Sequence, residues 1–503
     1  MTDAPIVTTT AGRLQGAVDP RGILVFRGVP YAADTGGANR FRPPQPVAPW
    51  QGIRDAIAPG AIAPQNEPEF NLSTLPDMSE DCLNLNVFTP ALDGARRPVL
   101  FHIHAGAFVS GGGGGATHSG AILAAEQDVV VVSVNYRLGV FGFPPFRVHG
   151  DEVSNNLGLL DQIAALEWVK DNIAAFGGDP RNVTLFGYSA GGWSIVALMA
   201  SRKARALFHR AAPQSGSEFG ATSLRDQRRL TEHFIGLAGV ADPSALLDLP
   251  VADLLAAQKT LIAEQQNAAE RQTEESLNFG PGLDFGDWAA MPLGVLRAGY
   301  AAEVPLLVGT TEDELGFAAF RGTIPWLLGM HTREAIVKSL ALAYGDTRAA
   351  AIWSAYEIAY PGESEQSLAG RIRSDRYYRV PAIRAAEIVA RERPGTAWMY
   401  RFDVKAPSEI AGNVSTHATD LAFWFGTMAD SPLQPFMFGR PPTPEEEVLA
   451  KTMRADLATF AREGACPWPA YDAETRTTRI YAPGETLARN PAGAARAAWD
   501  GLF

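Results

Sequence analysis

The stretch Val183-Thr184-Leu185-Phe186-Gly187-Tyr188-Ser189-Ala190-Gly191-Gly192 decides the reading of this chain. Residues 183–186 are short and apolar enough for a buried strand, and helix-forming sequence over 190–200 follows at once. Between them lies a Gly-x-Ser-x-Gly turn. A turn this tight holds its serine in a strained backbone conformation and requires small residues two positions before and after it. In return the hydroxyl stands exposed at the carboxyl edge of a sheet, beside a helix N-terminus. The bare pattern recurs by chance in long chains. The strand before it and the helix after it separate it from a plain glycine-rich turn, and they mark Ser189 as a candidate nucleophile.

Working outward, residues 99–104 read as a strand, and residues 128–134 read as another that is apolar on both faces, as central parallel strands are. A helix over about 157–176 carries Leu159, Ile163, Leu166, Val169 and Ile173 on one stripe and stops at Gly177-Gly178. Strand, crossover helix, strand is the βαβ unit, so the fold class is α/β with a mostly parallel central sheet flanked by helices. Two later strands are expected, at 304–308, ending at Gly309, and at 397–402. The helical stretches that flank them, about 221–280 and 316–394, read as excursions over the sheet and the site. The chain 1–503 is therefore expected to be a single domain. A last helix has Thr443 as N-cap, Pro444 in its first turn, Glu445-Glu446-Glu447 at the positive end of the dipole, and a stop at Gly464. Gly111 to Gly115 is too costly to order as an element and reads as a loop.

The composition narrows the function. With 46% hydrophobic and 19% charged residues the chain can bury a large core. A net charge of -12 argues against nucleic acid, which calls for a basic surface. Two cysteines, Cys82 and Cys466, exclude a disulfide framework and read as free thiols, favouring a reducing compartment. The start, Met1-Thr2-Asp3-Ala4-Pro5-Ile6, has neither a basic nor an apolar leader region, and the longest aliphatic block, 129–134, is far too short to span a bilayer. The expectation is a cytoplasmic protein with no membrane partner, a monomer or small homo-oligomer.

A serine hydroxyl attacks only when a base takes its proton. The strand at 99–104 runs into His104-Ala105-Gly106-Ala107-Phe108, a loop of the kind that supplies amides to a developing oxyanion. Gly106 and Ala107, with Ala190 just after the serine, are the expected donors. After such an elbow the acid and then the histidine follow in chain order, so the base is one of His209, His233, His331 and His417. His209 directly precedes a strand, and His233 and His331 lie in the helical excursions. His417 sits in a loop after the 397–402 strand and is the expected base. For the acid, Gly309-Thr310-Thr311-Glu312-Asp313-Glu314 offers three neighbouring carboxylates, among which spacing does not choose.

These residues resemble the type-B carboxylesterases, the cholinesterase-like branch of the α/β-hydrolase fold, and among them the bacterial para-nitrobenzyl-esterase-like members. The resemblance covers nearly the whole chain. It runs through Phe26-Arg27-Gly28-Val29-Pro30-Tyr31-Ala32, Arg40-Phe41-Arg42-Pro43-Pro44, Glu80-Asp81-Cys82-Leu83-Asn84-Leu85-Asn86-Val87, Asn135-Tyr136-Arg137-Leu138-Gly139 and Phe176-Gly177-Gly178-Asp179-Pro180, and ends in Phe460-Ala461 with Gly464 and Pro467. It implies Glu314 as the acid, His417 as the base with Asp420, Leu421 and Phe425-Gly426 behind it, and Ser215 of Gln214-Ser215-Gly216 as a buried residue that bonds the acid. The chain departs from the family at Tyr188, where a glutamate is usual, at Leu315 and Ala105, where glycines are usual, and at Cys82, which lacks its secreted-type partner. Tyr188 removes a charge from the site, which implies weaker preference for choline-like substrates.

The implied activity is hydrolysis of uncharged carboxylic esters through an acyl-enzyme, needing no metal and no cofactor. Candidate pocket walls are Phe108, Tyr188, Phe279, Phe285, Phe317 and Phe423. Phe279 opens a run through Asp284 that resembles the family's segment near the acyl site. Two other readings stand beside this one: the same triad acting on amides, carbamates or lactones, and a non-catalytic, neuroligin-like binding protein.

Overall fold

A computed structural model describes residues 4–66, 76–150, 153, 155–217, 222–270, 279–284, 287–300, 303–316, 332–408, 412–484 and 487–502. Its strands are β1 (Ile6–Thr8), β2 (Arg13–Gln15), β3 (Ala17–Val18), β4 (Leu24–Pro30), β5 (Ile53–Asp55), β6 (Asn84–Thr89), β7 (Arg97–Ile103), β8 (Val130–Val134), β9 (Gly178–Tyr188), β10 (Arg210–Gln214), β11 (Leu306–Thr311), β12 (Ala397–Phe402), β13 (Thr477–Tyr481) and β14 (Leu487–Arg489). Among the described residues β1, β2 and β5 form a small sheet. The rest form one large sheet in the order β14-β13-β12-β11-β10-β9-β7-β8-β6-β4-β3.

Neighbours from β13 through β12, β11, β10, β9 and β7 to β8 are all parallel, and antiparallel strands close both edges. The middle of the sheet is therefore the α/β core read from the sequence. Its residues explain that placement. Every side chain of Val130–Val134 is buried, as expected of a strand covered by helices on both faces. One apolar cluster joins β7, β8 and β9 to the helix Leu157–Asn172, and a second packs the other face against the helix Pro444–Glu463.

Two strands are longer than the apolar runs that announced them. β9 begins at Gly178, five residues ahead of the apolar run, and continues to Tyr188. β11 does not end at Gly309 but continues to Thr311, because Gly309, Thr310 and Thr311 pair with Tyr400, Arg401 and Phe402 of the neighbouring strand. Pairing, not local hydrophobicity, sets those ends. The crossover helix stops being α-helical at Asn172, tightens into a 3₁₀ turn over Ile173–Phe176, and ends on Gly177 with a φ of 78°. The last helix is capped as its sequence implies: Thr443 and Glu446 form a reciprocal capping box, and Gly464 closes it at φ 70°.

The first excursion holds the helices Leu224–Leu237 and Val251–Glu270. The second holds Arg333–Tyr344, Asp346–Ala359, Glu365–Ser374 and Val380–Glu392, with a π turn over Asp375–Arg379 joining the last two. Among the described residues no helix is long and apolar enough to cross a membrane. Cys82 is buried and Cys466 partly so, and neither is in a disulfide.

Candidate active site

Ser189 sits between β9 and the helix Ala190–Met199 with φ 55° and ψ -119°. That region is strained for any residue with a Cβ, and such strain persists only where the surroundings impose it. Here the Ser189 N–H donates to Gln214 O at 2.9 Å, and the helix begins on the Ser189 carbonyl, which accepts from Trp193 N–H. Gly191 shows why the turn excludes larger residues: a Cβ there would stand 2.0 Å from the Ile103 carbonyl oxygen. The serine itself stays partly exposed while the strand beneath it is buried.

The imidazole of His417 meets this hydroxyl, with Nε2 3.0 Å from Ser189 Oγ. On the other side Nδ1 lies 2.5 Å from Glu314 Oε2. Glu314 is wholly buried. Its second oxygen accepts the Thr311 N–H at 2.8 Å, and its carbonyl accepts from the Thr416 hydroxyl and the His417 N–H. The loop after β11 and the loop after β12 are thus tied to each other at both side chain and backbone. With Nδ1–H donating to the carboxylate, Nε2 is left to accept the hydroxyl proton, and a positive charge on the ring is stabilised by the buried carboxylate.

The three neighbouring carboxylates now separate by position. Glu312 caps the end of β12, its N–H donating to Phe402 O. Asp313 turns the other way and accepts from Ser374 Oγ at 2.7 Å, while that same hydroxyl accepts the Leu315 N–H. Burial pushes the Asp313 carboxyl up to about 6. Leu315 stands where the family has glycine, yet it is absent from the residues with positive φ, so the position makes no demand for glycine.

The loop expected to bind an oxyanion has a backbone suited to that task. Gly106, Ala107 and Phe108 follow one another at φ 126°, 52° and 63°. The Val109 and Ser110 N–H groups both donate to Gly106 O, and the Gly139 N–H donates to Phe108 O, so the loop is fixed from both ends. Among the described residues the N–H groups of Gly106, Ala107 and Ala190 donate to no carbonyl or side chain. Ala107 is exposed, on the open side of the loop. Donors held in place and left unpaired are what a developing oxyanion requires.

The other expected residues divide. Ser215 was expected to bond the acid. Its hydroxyl is instead buried with no partner among the described residues, while His417 Nδ1 and the Thr311 N–H meet the two Glu314 oxygens. Tyr188 is buried with its ring centroid 4.6 Å from that of His417, so it backs the imidazole and does not line an open wall. Phe423 is a core residue, fully buried with its ring against Phe402 and Phe438. Phe279 packs in the apolar cluster of the first excursion. Phe108 sits next to the oxyanion loop, edge-on to Trp193 and Phe143. Phe285 and Phe317 lie outside the described residues, as does His331. His209 accepts the Val183 N–H, and His233 pairs with Glu264, so both have structural partners away from Ser189.

One residue at this site escapes a reading of the sequence, and another, Asp420, was expected only as part of the run behind His417. Tyr378, in the π turn, holds its ring centroid 4.9 Å from His417, opposite in kind to Tyr188 and from a helix far along the chain. A phase slip in the helical pattern around 375–379 is the one signal that could have found it, since π turns recur at functional sites. Asp420 is wholly buried, with Oδ2 accepting from Trp424 Nε1 and Oδ1 unpartnered among the described residues. Burial, and then the charge of Glu314, push its carboxyl up to about 7. Among the described residues no group of three or more His, Cys, Asp or Glu side chains could hold a metal ion.

Comparison with known proteins gives the same direction. The model of the family described as "Carboxylesterase family" matches residues 3–499. The para-nitrobenzyl esterase of Bacillus subtilis (strain 168) is 37% identical over 496 residues, which cover 97% of this chain and 96% of that protein. The phenmedipham hydrolase of Pseudarthrobacter oxydans is 34% identical, over 92% of this chain and 91% of that one. Among solved structures, the Geobacillus stearothermophilus carboxylesterase superposes with a TM-score of 0.85 at 34% identity, covering 98% of this chain and all of the other.

Proposed function

The chain belongs to the carboxylesterase family and is a carboxylic ester hydrolase of the α/β-hydrolase fold, and we propose that it works through an acyl-enzyme on Ser189, with His417 as general base and Glu314 as the supporting acid. The observation that carries this reading is the unbroken line from Ser189 Oγ to His417 Nε2 at 3.0 Å and from Nδ1 to Glu314 Oε2 at 2.5 Å.

His417 takes the hydroxyl proton as Ser189 Oγ attacks the ester carbonyl carbon. The carbonyl oxygen becomes an oxyanion and rests on the N–H groups of Gly106, Ala107 and Ala190. The C–O bond to the alcohol then breaks, and His417 Nε2 gives its proton to the departing alkoxide. Water enters, loses a proton to the same nitrogen, and attacks the acyl carbon. Collapse of the second tetrahedral intermediate frees the acid and returns the proton to Ser189. Glu314 holds the ring in the tautomer that both halves need.

Uncharged esters fit best, because Tyr188 backs the imidazole where a carboxylate would draw cations. Phe108, whose ring packs into the core against Trp193 and Phe143, stays a proposed wall residue only through its place in the chain directly after Ala107. A single domain over 1–503, with excursions at 221–280 and 316–394, is supported by a family match that runs unbroken from 3 to 499. Two unpaired cysteines support a reducing, cytoplasmic setting, and a monomer or small homo-oligomer remains the proposed state.

The test is turnover of p-nitrophenyl acetate, butyrate and octanoate by the wild type and by Ser189→Ala between pH 5 and 9. Turnover that rises as an imidazole loses its proton, and is lost by several orders of magnitude in the variant, supports the assignment. A variant that keeps the wild-type rate removes it.

A further inference from the structure

Away from Ser189, on the far side of β11 and β12, four arginines converge on one small cavity. Arg379, Arg401, Arg476 and Arg496 line it together with Tyr471 and Thr310, and among the described residues no carboxylate does. This is unusual in a chain with a net charge of -12. The cavity is about 20 Å³, room for one water-sized body and too little for a tetrahedral oxyanion.

Each arginine that lines the cavity has a carboxylate partner of its own outside it. Arg379 pairs with Asp375, Arg401 with Asp403, Arg476 with Glu387 and Arg496 with Asp500, while Arg384 shares both Glu387 and Asp500. The four lining arginines are thus each neutralised, and Glu312 adds a further negative charge near Arg401. The donors are also unequally used. Arg379 Nε, Arg476 Nε and Arg496 Nε are buried and have no hydrogen-bond partner among the described residues, and the same is true of Tyr471 OH and Thr310 Oγ1. Arg379, Arg496, Tyr471 and Thr310 are each more than nine-tenths buried. Buried donors without partners are costly.

We propose that this cavity is a binding site for one small monovalent anion of the size of chloride, held by the arginine Nε–H groups and the hydroxyls of Tyr471 and Thr310. One such ion answers two features at once: it accepts from several of the unpartnered donors, and it fits the space. A water accepts from about two donors and must place its own two hydrogens, and among the described residues no carboxylate lines the cavity to accept them. The site is built from strand ends, from the π turn that also carries Tyr378, and from the C-terminal segment, so an ion here clamps the second excursion to the last strands of the sheet.

The test uses the full chain. Crystals soaked in sodium bromide should show an anomalous peak in the cavity. In solution, the melting temperature of the wild type should be higher in chloride than in gluconate at equal ionic strength, by about 2–3 °C once chloride is well above its dissociation constant. Arg496→Gln should lose that difference. The bromide experiment needs no variant, so a poorly folded Arg496→Gln leaves the proposal exposed to refutation. Density without anomalous signal, equal melting temperatures in the two salts, or a larger rise with inorganic phosphate than with chloride would each overturn it.

Discussion

Gly191→Ala separates two explanations of the elbow's glycine, local steric need and mere tolerance. The added Cβ would lie 2.0 Å from the Ile103 carbonyl oxygen and 2.8 Å from its carbon. Ordinary contact for a Cβ begins near 3.4 Å, so the helix Ala190–Met199 or the end of β7 must retreat by about 1.4 Å. Neither can do so harmlessly. The helix carries the Ala190 N–H, and β7 leads directly into Gly106 and Ala107, so the retreat pulls apart the two halves of the proposed oxyanion site. A misplacement of about 1 Å costs roughly 10²-fold in rate, and forcing a methyl group into packed backbone costs about 1–3 kcal/mol of stability. The expected result is a kcat on p-nitrophenyl butyrate lowered at least 10²-fold, with KM changed far less and the melting temperature reduced. Gly236→Ala is the control. It lies in the helix Leu224–Leu237, and a Cβ there meets nothing within 4 Å, so it should leave kcat unchanged and stabilise by about 0.5–1 kcal/mol. If Gly191→Ala kept a kcat within threefold of the wild type with an unchanged melting temperature, the coupling drawn here between β7, the helix and the oxyanion loop would be wrong.

Three further outcomes follow from the same geometry. Glu314→Gln should lower kcat by about 10³–10⁴-fold with little change in KM, since the amide cannot stabilise a protonated His417; a fall of less than tenfold in steady-state assays would assign the acid elsewhere. Asp420 holds its proton up to about pH 7 in the folded chain, but only to about 3.9 when unfolded, so the folded state binds the extra proton and stability falls as pH rises from about 4 to 7. Asp420→Asn should remove the larger part of that decline, on the order of 4 kcal/mol, leaving the smaller share of Asp313; urea midpoints that fall as steeply in the variant as in the wild type would refute it. Tyr188→Phe removes a buried hydroxyl that has no partner among the described residues and keeps the ring on His417, so it should be neutral or stabilising by up to about 1 kcal/mol, with kcat within about twofold; a tenfold loss of kcat would mean that the hydroxyl is engaged in the working enzyme.

What the sequence made legible is what short-range physics governs. The turn at Ser189 could be read because its steric demand falls on residues two positions away, and the central strands because burial on both faces leaves an unbroken apolar run. The ends of β9 and β11 could not, since ladder partners from other parts of the chain set them. The acidic run 312–314 shows the same boundary. The three side chains are equivalent in spacing, and only the fold sends the Asp313 carboxylate to Ser374 and that of Glu314 to His417, while Glu312 is held to β12 by its backbone N–H. Aromatic residues near the motifs were the least legible. Phe423 and Tyr188 look alike as candidates for a pocket wall, yet one packs in the core and the other against the imidazole. Tyr378 left no mark beyond a slip of helical phase around 375–379, because its relation to His417 depends on how a distant helix is wound.

The electrostatics around His417 tie the departure at Tyr188 to the substrate class. Two wholly buried carboxylates, Glu314 and Asp420, lie near this ring. Burial and Glu314's own charge keep Asp420 neutral up to about pH 7, because a carboxylate loses its hydration in this interior and a second negative charge is held so close to the first only at high cost. One carboxylate is therefore left to balance the imidazolium, and it does so from the side away from Ser189. The rings of Tyr188 and Tyr378 pack against the imidazole, and neither brings a carboxylate to a cationic substrate group. A glutamate in place of Tyr188 would stand beside Glu314 and Asp420 and meet the same repulsion, and its ionisation would require a counter-cation, which a positively charged substrate could supply. With tyrosine there, substrate binding has no such charge to neutralise, and discrimination falls to the shape and apolar area of the acyl and alcohol groups, each buried methylene contributing about 0.8 kcal/mol.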